Sequence, residues 1–174
     1  MAESAPATLE DYPNVVDEFY WPFLRALGNL VIAFAQAEAA LRDMVSEHLG
    51  GDELAAVGVL KAQNAKEQVT ELVSASGSDM EEFERDELLT TLDKFWADKE
   101  RRNRLIHDDW YPLFDRDDPG VGLRGITNSK VPKLTWNEPK VETVWLLAEK
   151  FADYNIVMSK RSWWMRRTRL GPEG

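Results

Sequence analysis

The sequence contains no cysteine and only two histidines among its 174 residues. The absence of cysteine excludes disulfide bonds, thiolate metal sites and a cysteine nucleophile. Two histidines are too few for a histidine-rich metal centre. We therefore expect a protein that works without a metal ion or another cofactor.

The sequence also lacks a long apolar run. The most apolar segment, Leu24–Ala37, contains Arg25, Asn29 and Gln36 and is shorter than the roughly 20 residues that cross a bilayer. The first residues, Met1–Asp11, are acidic and have no apolar centre of the kind found in signal peptides. These features predict a cytoplasmic protein with no membrane partner.

Basic residues are in deficit, with 21 lysines and arginines against 31 acidic residues and a formal net charge of −10. A protein that binds nucleic acid over its whole surface is normally basic, so any RNA contact must use a local patch. The apolar fraction of 44% and the length suit one domain with a substantial core. We predict a flexible arm at 1–14 and a single domain at 15–170.

Apolar residues recur at steps of three and four in four segments, which is the period of an amphipathic helix. The predicted helices cover residues 23–49, 52–74, 79–111 and 137–167. Gly50 and Gly51 end the first helix and Pro112 ends the third. Asp52, Asp79 and Asn137 are the predicted N-caps.

Residues 112–137 differ in character from the helices around them. The β-prone runs 122–127 and 131–136 predict a small hairpin, in which Pro132 would confine its strand to an edge. The sequence therefore predicts an all-α four-helix bundle with a small β-hairpin or loop insert before the last helix.

The residues best suited to chemistry lie at the end of the third helix, in the stretch Glu100–Trp110. Arg102 and Asn103, followed by three residues and then His107, resemble the ribonuclease motif of the HEPN superfamily. The similarity extends in outline over residues 23–165. Glu38 stands where many HEPN first helices have a glutamate, and Trp110 follows His107 before a variable insert.

The resemblance implies a HEPN-like bundle that acts as a metal-independent endoribonuclease, with two protomers whose motifs share one cleft. His107 would be the general base or acid, Arg102 the phosphate clamp, and Asn103 would orient the phosphate or the histidine. An imidazole suits proton transfer from a 2′-hydroxyl near neutral pH, and a planar guanidinium suits the charge that builds on phosphate oxygens. The resemblance also implies a toxin or phage-defence setting and a neutralising protein partner.

Two carboxylates are predicted to support the motif. Glu38 interrupts the apolar stripe of the first helix, where it either reaches water at the edge of the stripe or pairs with an arginine, for which Arg102 is the obvious candidate. Asp108 or its neighbour Asp109 would hold the second nitrogen of His107. On a regular helix Arg102 and His107 lie roughly 140° apart, so a dimeric cleft or a loosened last turn would be needed to bring them together.

Further basic residues form candidate RNA contacts. They are Arg101 and Arg104 beside the motif, and Lys160, Arg161 and Arg166 near the C-terminus, where tryptophans alternate with cations. The alternative for the C-terminal group is a helix end whose tryptophans pack on the body and whose arginines lie in water.

A second interpretation of the whole chain stays open, namely a non-catalytic HEPN-like helical module that binds another protein. In that case His107 caps the end of its helix and Arg102 locks two helices together through Glu38. The second histidine, His48, is predicted to be a surface or capping residue in either case.

Overall fold

A computed structural model of the protein describes residues 21–76, 80–113, 120–126 and 133–171. Within these ranges the chain forms five helices and three strands: α1 (Trp21–His48), α2 (Glu53–Lys61), α3 (Ala65–Ala75), α4 (Glu82–His107), β1 (Asp109–Leu113), β2 (Gly120–Ile126), β3 (Leu134–Asn137) and α5 (Val141–Leu170). The predicted arm at 1–14 and the predicted cap Asp79 lie outside the described residues. The chain is thus mostly helical with one small antiparallel sheet, as predicted at that level.

The core lies between the three long helices. Phe34 of α1 meets Phe151 of α5 at a ring-centroid distance of 5.1 Å, and Phe95 of α4 contacts both rings at 6.2 and 5.8 Å. Each aromatic side chain removes a large apolar area from water, so this cluster is a major contribution to the stability of the fold. Glu47 near the C-terminal end of α1 forms an ion pair with Arg166 near the C-terminal end of α5. The two helices therefore run in the same direction.

Helix α4 runs in the opposite direction to α5. Its early residue Leu88 lies beside Val157, whereas its late residue Leu105 lies beside Leu147. The C-terminal end of α4, which carries the motif, is therefore next to the N-terminal end of α5. It is also next to the N-terminal end of α1, where Phe23 contacts Trp110 at 5.4 Å.

Trp21–His48 is long and apolar enough, by length and composition alone, to cross a membrane. A core helix passes the same test, and one face of α1 is buried against α4 and α5. The apolar composition of α1 is therefore accounted for in part by its place in the core.

The predicted second helix is in fact two helices. Asp52 caps α2 as predicted, since its carboxylate accepts a hydrogen bond from the Ala55 amide at 2.9 Å. The helix then ends at Ala62, which adopts an extended conformation, and α3 begins at Ala65. No glycine or proline causes this break, and both halves bury apolar residues in the shared core. Tertiary packing therefore overrides a continuous helical pattern.

The predicted third helix ends earlier than expected, at His107 rather than near Tyr111. Asp108 is extended, with ψ of 153°, and β1 begins at Asp109. The Trp110 indole N–H donates to the carbonyl of Leu105 at 3.0 Å while its ring packs on Phe23. These contacts turn the chain away from the helix axis before Pro112 is reached.

The insert is a three-stranded antiparallel sheet in the order β1-β2-β3. The predicted hairpin corresponds to β2 and β3, which pair Ile126 with Leu134 and Leu123 with Asn137. The prediction missed β1, which pairs Asp109 with Arg124. It also misplaced the start of the last helix, because Asn137 ends β3 and α5 begins at Val141 after Lys140. Pro132 lies outside the described residues.

Candidate functional site

The predicted phosphate clamp, Arg102, lies flat against the core. Its guanidinium carbon is 4.4 Å from the centroid of the Phe34 ring, which is the distance of a cation–π contact. Its NH1 group donates to the Asn103 side-chain oxygen at 3.1 Å, and its Nε is buried without a hydrogen-bond partner among the described residues. The side chain is half-buried, so part of the guanidinium still reaches solvent.

Asn103 and His107 lie one turn apart on another side of α4, separated by roughly 40° around the helix axis. Asn103 is half-buried and His107 is exposed on the last residue of the helix. Trp110 does not cover the imidazole, because its ring turns to Phe23. Since α4 stays helical to His107, Arg102 and His107 remain roughly 140° apart within one chain. Asn103 lies between them and is bonded to the arginine.

The predicted pairing of Glu38 with Arg102 is wrong. Glu38 accepts a hydrogen bond at 2.8 Å from Lys99, one turn before Arg102 on α4. The Lys99 ammonium also lies 5.1 Å from the centroid of the Trp96 ring and 5.7 Å from that of Phe34. Lys99 thus forms the ion pair expected of the arginine, and Arg102 lies over Phe34 instead.

A cavity of about 440 Å³ opens at this ion pair, between α1, α2 and α4. Glu38, Trp96 and Lys99 line it together with Arg42 and Lys61. At about 100° per residue, Lys99, Asn103 and His107 share one side of α4. The cavity itself is lined by no residue of the motif, but its Lys99 lies on the same side of α4 as Asn103 and His107.

The two aspartates after His107 have other surroundings. Asp109 accepts a hydrogen bond from Arg124 at 2.9 Å across the sheet. The Asp108 carboxylate lies against Gly125, where a side chain would collide with it: an ideal Cβ on Gly125 would be 2.2 Å from Asp108 Oδ2. Asp108 therefore packs the end of α4 on β2, and a side chain at residue 125 would displace this carboxylate.

Arg101 and Arg104 lie on the side of α4 that faces α5. Arg101 pairs with Asp98 at 3.0 Å, and Asp98 is 3% exposed. Asp98 also accepts from the Tyr154 hydroxyl at 2.7 Å and pairs with Lys150 at 3.3 Å. Burial raises the pKa of Tyr154, and its hydrogen bond to Asp98 raises it further. Arg104 is exposed on the next turn of α4.

The basic C-terminal segment is tied to α1. The buried Glu47 carboxylate accepts hydrogen bonds from Arg166 Nε at 2.7 Å and from Arg169 NH2 at 3.0 Å. Burial by itself would raise the pKa of Glu47, but the hydrogen bonds and positive charges of both arginines outweigh it and lower the pKa. Arg166 is thus engaged within the fold, whereas the predicted contact Lys160 is exposed.

Arg161 lies close enough to His48 for its charge to act on the imidazole. Burial lowers the pKa of His48 to about 4, with a smaller contribution from Arg161. His48 Nδ1 is 2.8 Å from the Ser76 hydroxyl. His48 was predicted to be a surface or capping residue. It is the last residue of α1, but it is half-buried and its ring contacts Ser76, directly after α3.

Three charged residues of this region were missed at the level of sequence: Lys99, Asp98 and Glu47. Asp98 lies three residues after the buried Phe95 of α4, and Glu47 lies three residues after the buried Met44 of α1. This helical spacing is the signal that could have predicted their burial. In the described part of the chain, no group of three or more histidine, aspartate or glutamate side chains could hold a metal ion.

Comparison with known proteins adds no further constraint. No protein-family model, no curated protein and no solved structure matches the chain.

Proposed function

We propose that the protein is a HEPN-like four-helix bundle, with α2 and α3 together forming one of the four helical layers, that cleaves RNA without a metal ion. The observation that carries the proposal is the arrangement at the end of α4. Arg102 bonds Asn103, and Asn103 lies one turn before an exposed histidine, His107. A fixed cation, an orienting amide and an accessible imidazole are thus grouped on the last two turns of one helix.

The reaction has a simple balance. His107 takes the proton from a ribose 2′-hydroxyl as the oxygen attacks phosphorus, and the bond from phosphorus to the 5′-oxygen breaks. The 5′-oxygen leaves with a proton from an acid, for which the His107 of a second protomer is available in a shared cleft. Arg102 offsets the charge that builds on the phosphate oxygens. The products are a 2′,3′-cyclic phosphate and a 5′-hydroxyl.

A homodimer fits the separation of the two side chains. Because Arg102 and His107 point roughly 140° apart in one chain, a cleft between two protomers is the simpler way to join them at one phosphate. The outer face of α1 offers an apolar surface for pairing: Leu24, Val31 and Ile32 are 43%, 40% and 60% exposed, and Gly28 between them has open space. Exposed apolar faces of this kind often mark interfaces.

The proposed substrate and setting follow the same motif. RNA would enter along the side of α4 that carries Lys99, Asn103 and His107, with Arg101, Arg104 and the exposed Lys160 as outer contacts. We propose that it acts in the cytoplasm in a toxin or phage-defence role, together with a protein that neutralises it.

The test is incubation of purified protein with varied RNAs in EDTA, followed by analysis of the cut ends. The parent is expected to leave 2′,3′-cyclic phosphates, and His107→Ala is expected to lose at least about a hundredfold in rate, the usual contribution of a general base. Arg102→Ala should show a similar loss. Lys94→Ala, which removes an exposed cation two turns earlier on α4, is the matched control and should retain activity.

One observation favours the second candidate, a non-catalytic binding module. Arg102 already stacks on Phe34 and bonds Asn103, so it has a role within the fold. In that case the parent cleaves none of the RNAs, and Arg102→Ala lowers thermal stability while His107→Ala does not. Cleavage that persists in His107→Ala would also end the ribonuclease proposal.

A further inference from the structure

A second charged cavity lies on the other side of α4, between α4, the sheet and the N-terminal half of α5. Its volume is about 460 Å³, which is within the usual range for small-molecule sites. Arg101, Arg104 and Asp108 line it from α4 and Lys150 lines it from α5. We call this space the α4–α5 pocket.

The α4–α5 pocket is separate from the motif. Arg101, Arg104 and Asp108 follow steps of three and four, so they fall within an arc of roughly 60° around α4. Asn103 lies roughly 130° and His107 roughly 90° from the middle of that arc. A ligand in the pocket would therefore leave the motif side of α4 uncovered.

Two of the three cations of the pocket, Arg101 and Lys150, are held in place before any ligand arrives. The buried Asp98 carboxylate pairs with Arg101 at 3.0 Å through one oxygen and with Lys150 at 3.3 Å through the other. The Tyr154 hydroxyl fixes the same carboxylate at 2.7 Å. Two cations from different helices are thus positioned by one buried anion, which lowers the entropy cost of binding a phosphate between them.

The charge of the pocket is positive although the protein carries −10 overall. Arg101, Arg104 and Lys150 contribute three positive charges, and Asp98 and Asp108 contribute two negative ones, so the balance is +1. A second cavity of about 530 Å³ adjoins the first along α4 and α5 and shares Arg101 and Lys150 with it. Both cations are therefore accessible from two sides.

The remaining wall of the pocket is apolar. Leu123 of β2 and Leu147 of α5 are 3% and 5% exposed and form its floor, while Leu146 is 58% exposed at its rim. Cations at one side and an apolar floor at the other suit a ligand that has a phosphate and a flat apolar ring. Asp108 lies on the α4 side as an acceptor for sugar hydroxyl groups.

From this arrangement we infer that the α4–α5 pocket binds a ribonucleoside monophosphate, either free or as the terminal residue of an RNA strand. The phosphate is held by Arg101, Arg104 and Lys150. The base lies on the leucine floor, and a ribose hydroxyl donates to Asp108. The inference does not depend on catalysis at His107.

The experiment is calorimetric titration of the full-length protein with the four ribonucleoside 5′-monophosphates, their 2′-deoxy forms, inorganic phosphate and a 5′-phosphorylated trinucleotide. At least one ribonucleotide is expected to bind, and more tightly than inorganic phosphate. Arg104→Ala should weaken that binding about tenfold, the usual effect of one charge-assisted hydrogen bond. Arg104 is exposed, so this variant is expected to fold.

Arg167→Ala is the matched control, because it removes an exposed cation of the same helix as Lys150 outside the pocket. Its affinity should equal that of the parent. The relative affinity of the mononucleotide and the trinucleotide shows whether the ligand is free or a strand end. The mononucleotides contain no phosphodiester bond to be cut, so their binding tests the pocket whether or not the ribonuclease proposal holds.

Three outcomes would overturn the inference. They are no heat of binding with any nucleotide, equal affinity for inorganic phosphate and nucleotides, and unchanged affinity in Arg104→Ala.

Discussion

At the scale of single residues, two buried carboxylates bear on which helices pack together. Asp98 and Glu47 are 3% and 6% exposed, yet each carboxylate has at least two cationic partners. Breaking such a pair by removing one partner is more damaging than replacing the pair with apolar groups, because an uncompensated charge stays buried. Both carboxylates therefore fix which helices lie side by side.

His48 should make stability depend on pH. Its pKa in the folded protein is lowered to about 4 from an ordinary value of 6.5. Between these two pH values the unfolded state binds a proton that the folded state does not bind. The contribution of His48 to the free energy of unfolding is complete above pH 6.5 and is lost as pH falls toward 4. His48→Asn keeps a partner for Ser76 but cannot titrate, and it should flatten the fall in urea midpoint between pH 7 and 5.

The control for that experiment is His107→Asn, which replaces the exposed histidine and should keep the slope of the parent. The titration of Glu47 does not interfere, since its lowered pKa places its effect below pH 4.5. Equal slopes in the parent and in His48→Asn would contradict the burial of this imidazole.

At the scale of elements, the end of α1 shows how a loop and a distant helix depend on each other. Gly50 and Gly51 both have positive φ, of 75° and 93°, and they end the helix. The space around Gly50 is open, whereas a Cβ on Gly51 would lie 2.9 Å from the Arg169 guanidinium. Arg169 is held there by Glu47 at 3.0 Å. The turn after α1 thus contacts the last turn of α5.

Substitution of the two glycines separates backbone strain from this contact. Gly50→Ala should cost about 1 kcal/mol in unfolding free energy, the cost of a left-handed conformation for a residue with a side chain. Gly51→Ala should cost more, because Arg169 must also move away from Glu47. The measurement is urea denaturation of both variants. In a Glu47→Gln background the two substitutions should differ less in their unfolding free-energy cost. Equal costs of Gly50→Ala and Gly51→Ala in the parent background would refute the contact between Gly51 and Arg169.

The motif illustrates the same interplay between elements. Local sequence places Arg102, Asn103 and His107 at the end of α4. The contacts of Arg102 depend on α1, because Phe34 and the Glu38–Lys99 pair occupy the surface of α1 that faces α4. The sheet decides where α4 ends, through the Trp110 contacts.

At the scale of the whole molecule, the outer face of α1 is the feature that bears on assembly. We expect a homodimer in which this face is buried. Ile32→Glu places a charge on a side chain that is 60% exposed, so it should convert the dimer to a monomer without loss of thermal stability at low protein concentration. Sedimentation velocity of the parent and the variant is the measurement.

A matched control is Ile156→Glu, which alters an equally exposed isoleucine, 63%, on α5. It should leave the association state unchanged. A parent that sediments as a monomer at all concentrations would refute the dimer and would also remove the route by which Arg102 and His107 meet.

The sequence by itself determined that the three long helices form, the Asp52 cap, the glycine stop after α1 and the place of the motif at the end of α4. These features depend on residues within a turn or two of each other, so period and local chemistry are sufficient to predict them. It also predicted the pairing of β2 with β3, because two β-prone runs flank a short connection.

Only the tertiary structure decided the break between α2 and α3, the addition of β1 to the sheet, and the partners of the charged residues. Lys99 rather than Arg102 reaches Glu38, and Glu47 gathers two arginines that lie more than a hundred residues later in the chain. Which cation meets a buried carboxylate depends on helix rotation and spacing set by the whole core, and no local pattern carries that information.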